Sequence, residues 1–122
     1  MPLHLRVGDK FIGPGSVGEV LLRAGDESVR VLVYSGLSTG SRLFMVAGLH
    51  GNEKLSLNIA REVSESLDPR QLHGVVLLVP EASATAIRDA TRDVPGSGDL
   101  NRAFPGDPKG DGAHQIAYAL FR

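Results

Sequence analysis

Leu43-Phe44-Met45-Val46-Ala47-Gly48-Leu49-His50-Gly51-Asn52-Glu53-Lys54-Leu55 is the stretch on which the fold of this chain turns. Residues 43–48 form a short continuous apolar run, as expected of a strand covered on both faces of a parallel sheet. Beyond the turn, Leu55, Ile59, Val63 and Leu67 recur at four-residue intervals and mark one face of a helix. A second apolar run follows at residues 75–80. The pattern is strand, helix, strand, with parallel strands joined by a crossover helix.

His50 and Glu53 fall where the first strand empties into the turn. A histidine and a carboxylate three residues apart at such a junction can aim a nitrogen and an oxygen at one point. Zinc accepts both ligand types at about 2.0–2.2 Å, and catalytic zinc typically takes three protein ligands and a water. The same spacing also has an ordinary structural reading, because a glutamate in the first turn of a helix favours the positive end of its dipole.

About forty residues on, the chain reads Arg92-Asp93-Val94-Pro95-Gly96-Ser97-Gly98-Asp99-Leu100-Asn101-Arg102-Ala103-Phe104-Pro105-Gly106. The two motifs, in this order and at this spacing, resemble the succinylglutamate desuccinylase/aspartoacylase family of zinc deacylases, relatives of the zinc carboxypeptidases. The similarity runs from about Ser41 to Tyr118, and the first forty residues match only loosely. Residues 104–110, followed by Ile116-Ala117, look like the branch described as general deacylases.

The resemblance implies roles. His50 and Glu53 bind zinc, Arg92 helps the metal polarise the scissile carbonyl, and Asn101 with Arg102 holds the substrate carboxylate. Each suits its residue type: a fixed cation beside a carbonyl oxygen stabilises charge developing in the transition state, and a guanidinium grips a carboxylate through two parallel hydrogen bonds. The Gly/Pro-rich setting of Asn101-Arg102 is of the kind that positions functional groups. The chain departs from the family at Pro80-Glu81-Ala82-Ser83, where a Pro-x-x-Asn pattern is usual, leaving Ser83 to make the hydrogen bond with a shorter reach. The family's third zinc ligand, a histidine on a later strand, and its general base, a later glutamate, have no counterpart before Arg122.

The fold class expected is therefore α/β: a partial zinc-carboxypeptidase-like mixed sheet flanked by helices and preceded by an N-terminal β-hairpin. Residues 1–40 read as an N-terminal β segment, and 41–122 as the N-terminal portion of a truncated zinc-hydrolase domain. In the first segment, residues 17–23 and 28–34 flank Ala24-Gly25-Asp26-Glu27, a good turn composition, and predict the antiparallel hairpin. Residues 36–40 read as the joint to the next strand. A second helical stretch begins before Ile116, and the chain stops inside its apolar stripe. Gly13-Pro14-Gly15-Ser16-Val17-Gly18 fits the phosphate-cradling G-x-G-x-x-G string, but it runs into a strand rather than a helix and reads as a turn. His4, His73 and His114 read as solvated or hydrogen-bonded.

Composition excludes other classes. Thirteen basic residues against fourteen acidic ones, without a basic cluster, leave no footprint for nucleic acid. No apolar run approaches the roughly 20 residues of a membrane span, and no secretory signal pattern opens the chain. Zero cysteines rule out thiolate ligands and disulfides and fit a cytoplasmic protein.

The function expected is a zinc-dependent amide hydrolase, a deacylase of N-acyl amino acids or similar small carboxylates, present here as an incomplete and inactive piece. A zinc carboxypeptidase or peptide amidase would use the same residues, and a non-catalytic binding module is the reading from another class. An unpaired sheet edge and a wet stripe of Ile116, Leu120 and Phe121 predict self-association through the edge or the C-terminal helix.

Overall fold

The computed structural model describes residues 5–121, so His4 lies outside the described residues. Strands β1 (Leu5–Val7) and β2 (Lys10–Ile12) form a small antiparallel ribbon. Three-residue strands are too short to announce themselves by alternation, and the sequence reading placed no element there. Strands β3 (Ser16–Ala24) and β4 (Glu27–Ser35) make the expected hairpin, with Ala24 opposite Glu27. Gly25, at φ 64°, supplies the left-handed conformation that a two-residue hairpin turn needs. Of the glycine-rich string, Pro14 and Gly15 form the expected turn, and Ser16, Val17 and Gly18 already belong to β3.

Strand β5 (Ser38–Val46), helix α1 (Lys54–Ser66) and strand β6 (His73–Val79) form the expected parallel crossover unit. Short helix α2 (Ala84–Arg88) and helix α3 (Gly112–Phe121) follow. The sheet order is β3-β4-β6-β5, with β4 antiparallel to both its neighbours, so hairpin and crossover unit share one mixed sheet. This is the expected α/β class.

β5 begins five residues earlier than its apolar run, inside the stretch read as a joint. The reason is a pair of glycines. A Cβ at Gly74 would lie 2.0 Å from the Ser41 carbonyl oxygen, and one at Gly40 would lie 2.7 Å from the His73 carbonyl. Only bare backbones approach so closely, and they carry the pairing across an irregularity between Ser38 and Arg42.

The sheet is covered on both faces. Tyr34, Leu78 and Ala47 pack against Ala60 of α1, and the Tyr34 hydroxyl donates to the Ser64 carbonyl at 2.8 Å. On the other face Val29, Val31, Val33, Val75 and Val79 meet Ile116, Ala117 and Leu120 of α3.

Three expectations about burial are corrected. The run at residues 43–48 is not covered on both faces: among the described residues β5 is an edge strand, and Leu43 and Phe44 are 54% and 46% exposed. The stripe read on α1 divides, because the helix docks through Ala60, Val63 and Leu67 and leaves Leu55 and Ile59 in solvent. The stripe on α3 is not wet, because Ile116 and Leu120 close the core under β3 and only Phe121 stays exposed. Among the described residues no helix is long and apolar enough to cross a membrane.

Candidate functional site

The site is assembled where β5 ends. Ala47 keeps the ladder, its amide donating to the Val79 carbonyl at 2.8 Å. Gly48, at φ 73°, then bends the chain out of the sheet. Gly51 lets the turn rest on α2, since a Cβ there would sit 2.1 Å from the Ala86 backbone. His50 is held between these contacts and is 8% exposed.

Glu53 occupies the N-cap of α1 yet makes no side-chain capping bond. Its carboxylate turns instead to His50, with Oε1 2.6 Å from Nδ1. A cap position that withholds its acceptor from the helix breaks a local rule, and such breaks concentrate at functional sites.

The second motif closes from the other side. Val94 is buried, its amide donates to the Gly98 carbonyl at 2.8 Å, and the turn between them places Arg92 and Asp99 on the same side. Asp99 Oδ1 accepts from the Asn101 amide at 2.9 Å and lies 2.8 Å from His50 Nε2. Leu100, fully buried, pins the single 3-10 turn Leu100–Arg102 that follows. Arg92 reaches both carboxylates, 3.5 Å from Asp99 and 4.0 Å from Glu53.

His50 thus has a carboxylate on each ring nitrogen, and its pKa is raised, first by the hydrogen bond to Glu53 and then by that to Asp99, against burial and the Arg92 charge. The His50 bond in turn holds the Asp99 carboxyl below its ordinary range.

Of the five residues singled out in the sequence, His50, Glu53 and Arg92 come together. Asn101 and Arg102 lie two and three residues after Asp99 on the 3-10 turn, with exposed side chains that make no hydrogen bond or ion pair among the described residues. Asp99 was given no role in the sequence reading. Its signal was its place as the first residue of Asp-Leu-Asn-Arg, an acid ahead of a short turn, but nothing in the spacing says that it meets a histidine 49 residues earlier. Ser83, where the family usually has asparagine, does not reach Arg92. It is buried and caps α2, accepting from the Ala86 amide at 3.3 Å. Of the remaining histidines, His73 bonds Ser38 and His114 bonds Asp111.

The mixed sheet makes this an α/β protein, and its fold is shared by carboxypeptidase-like solved structures. The chain belongs to the succinylglutamate desuccinylase/aspartoacylase family: the model of that family's catalytic domain matches residues 39–122. An N-alpha-acetyl-L-2,4-diaminobutyric acid deacetylase of Halomonas elongata is 33% identical over 79 residues, 64% of this chain and 23% of that protein. Among solved structures, an aspartoacylase family protein from Mesorhizobium loti superposes with a TM-score of 0.79 at 31% identity, over 99% of this chain and 39% of that one. A succinylglutamate desuccinylase/aspartoacylase from Rhodobacter sphaeroides gives a TM-score of 0.76 at 27% identity, over 85% of this chain and 35% of that one. The likeness therefore includes the N-terminal strands, beyond the part in which the sequence resemblance was specific. The chain spans well under half the length of each of these relatives.

Proposed function

We propose that this chain carries part of the centre of a zinc-dependent amide hydrolase, a deacylase acting on N-acyl amino acids or similar small carboxylates. The observation that carries this reading is the pairing of His50 Nδ1 with Glu53 Oε1 at 2.6 Å while Asp99 holds Nε2.

The donor chemistry fits a metal. With its Nε2 proton donated to Asp99, a neutral His50 presents a lone pair at Nδ1, directly facing a carboxylate oxygen. Two electron-pair donors in that position repel unless a cation lies between them, whether a proton, as the raised His50 pKa reflects, or a metal ion. His50 and Glu53 are the residues that would hold zinc. Asp99 fixes the tautomer and ring orientation, as carboxylates behind ligating histidines do. When bound, zinc would act as a Lewis acid on the acyl carbonyl and lower the pKa of a water.

The remaining roles belong to Arg92, Arg102 and Asn101. Arg92, tethered to Glu53 and Asp99, keeps a positive charge where carbonyl oxygen charge develops. Arg102 and Asn101, unpaired within the described residues, present donors for the substrate carboxylate. The absence of cysteine fits a cytoplasmic setting.

One observation favours a second reading for the isolated polypeptide. Among the described residues no group of three or more His, Asp or Glu side chains is arranged to hold a metal ion. We expect the purified chain to bind zinc weakly through His50 and Glu53 and to show no appreciable turnover of acetyl-aspartate or other N-acyl amino acids. Calorimetric zinc titration of the chain and its His50→Ala variant, with anomalous scattering at the zinc edge, tests the ligands. Metal placed elsewhere, with both side chains uncoordinated, would remove the assignment. Zinc-dependent turnover abolished by His50→Ala would overturn the second reading and uphold the first.

A further inference from the structure

With His50, Glu53 and Arg92 read as the hydrolase centre, we propose that Glu27 of the N-terminal hairpin is a positioning residue for it. Glu27 acts through helix α2, against which both the His50–Glu53 turn and the Arg92 loop are set. α2 spans five residues, Ala84–Arg88. Helices shorter than about 12–15 residues are marginal by themselves in water, so contacts outside α2 must seat it. Its C-terminus adds to that need. Ala90 takes a left-handed φ of 53°, which a non-glycine residue keeps only where its surroundings hold it. The helix closes there in a Schellman arrangement. The Ala90 amide donates to the Ile87 carbonyl at 3.1 Å, and the Thr91 amide donates to the Ala86 carbonyl at 2.9 Å.

Both halves of the centre lean on this helix. Gly51, between His50 and Glu53, rests its backbone on the Ala86 carbonyl, where no Cβ would fit, and Gly48 lies beside the Ile87 side chain. The carbonyl that meets Gly51 is the one that receives the Thr91 amide, and Arg92 is the next residue. The Thr91 hydroxyl donates to the Asp93 carbonyl at 2.9 Å and so spans Arg92. One peptide group therefore sets the His50–Glu53 turn against the Arg92 loop. A tilt of α2 moves both relative to Asp99, which is held separately by the Val94–Gly98 bridge and buried Leu100.

Glu27 fixes that tilt. Its Oε1 accepts from the Thr85 amide at 3.2 Å and from the Thr85 hydroxyl at 3.1 Å, across 58 residues of chain. Ser83 also caps α2, accepting from the Ala86 amide, but it belongs to the same segment and moves with it. Glu27 opens β4, opposite Ala24, so its carboxylate ties the first turn of α2 to the sheet. Glutamate is depleted in strands, and at this strand start its side chain is used to seat a helix.

Nitrogen NMR of the metal-free 122-residue chain reads His50 Nδ1, bonded to Glu53, and Arg92 Nε, beside the two carboxylates. Glu27→Ala should shift both resonances and lower zinc affinity about tenfold, the low end of the loss when a group behind a metal ligand is removed. Thr85→Val, which removes one of the two donors, should move the same readouts less. Glu27→Gln keeps an acceptor for Thr85 and should restore them. Val33→Ala, in the core farther along β4, should lower the thermal midpoint without moving either resonance. Circular dichroism checks that each variant is folded. Resonances unmoved in Glu27→Ala, equal shifts in Val33→Ala, or no restoration in Glu27→Gln would overturn the positioning role. Zinc held through His50 with unchanged affinity in Glu27→Ala would overturn it too. If zinc binding is indifferent even to His50→Ala while the Glu27→Ala resonances move, the metal assignment falls and the positioning role stands.

Discussion

Asp99 makes two hydrogen bonds with one oxygen, from the Asn101 amide at 2.9 Å and with His50 Nε2 at 2.8 Å. The first shapes the turn that presents Asn101 and Arg102, and the second orients the histidine proposed to bind metal. Replacing Asp99 by asparagine keeps an acceptor for the amide and removes the charge behind the imidazole. We expect Asp99→Asn to lower zinc affinity by about 10–100-fold, the usual effect of removing the group behind a ligating histidine. Isothermal calorimetry against wild type, with unchanged circular dichroism, measures this, and an affinity equal to wild type would refute the positioning role. At this scale the sequence was legible where the chemistry is local. His50 and Glu53 are three residues apart, and their meeting follows from the turn. Asp99 was opaque because its partner lies 49 residues away. Ser83 shows the reach of local chemistry. A serine oxygen three residues before the Ala86 amide is an ordinary N-cap, and local capping took the hydroxyl at the position where the family usually has asparagine.

Helix α3 shows how an element is seated by its first turn. Asp111 precedes it and accepts from the His114 amide at 3.4 Å and at His114 Nδ1 at 2.7 Å, while Ser97 accepts from the Ala113 amide at 2.8 Å. The Asp111 carboxyl is held down to about 2 from its ordinary 3.8, first by the Ser97 hydrogen bond and then by His114. A depressed carboxyl stabilises the folded state at pH above its unfolded value, and that contribution is lost as pH falls through the folded one. The cap should therefore be fully effective above pH 3.8 and fail towards pH 2. The Asp111 side-chain carbon, followed by NMR in acid, should titrate near 2, and a midpoint at the ordinary value would contradict the capping geometry. Periodicity found α1 and α3 but not what they touch. Leu55 and Ile59 share the apolar spacing of Val63 and Leu67, yet only the latter pair reaches the sheet.

At the scale of the whole molecule, β6 is the member that joins the parts. Leu78 is 1% exposed, lies opposite Leu32 of β4 and Met45 of β5, and packs with Tyr34, Ala47 and Ala60. Leu78→Ala should cost about 2–5 kcal/mol, the range for a buried leucine whose cavity cannot collapse. Because that side chain contacts residues from hairpin, crossover helix and β5 alike, urea unfolding should stay a single transition with a lowered midpoint. Separate transitions for tyrosine fluorescence and far-UV circular dichroism would argue against a shared core. The sequence alone determined the class of fold, the parallel crossover and the hairpin, because hydrophobic periodicity and turn chemistry are properties of neighbouring residues. It also brought His50 and Glu53 together in one turn, for the same reason. Tertiary structure decided the rest: which strand became the edge, which half of an apolar stripe was covered, and which acid stood behind His50. Those depend on distances between residues far apart in the chain, set only when glycines such as Gly40, Gly51 and Gly74 let backbones close to contact.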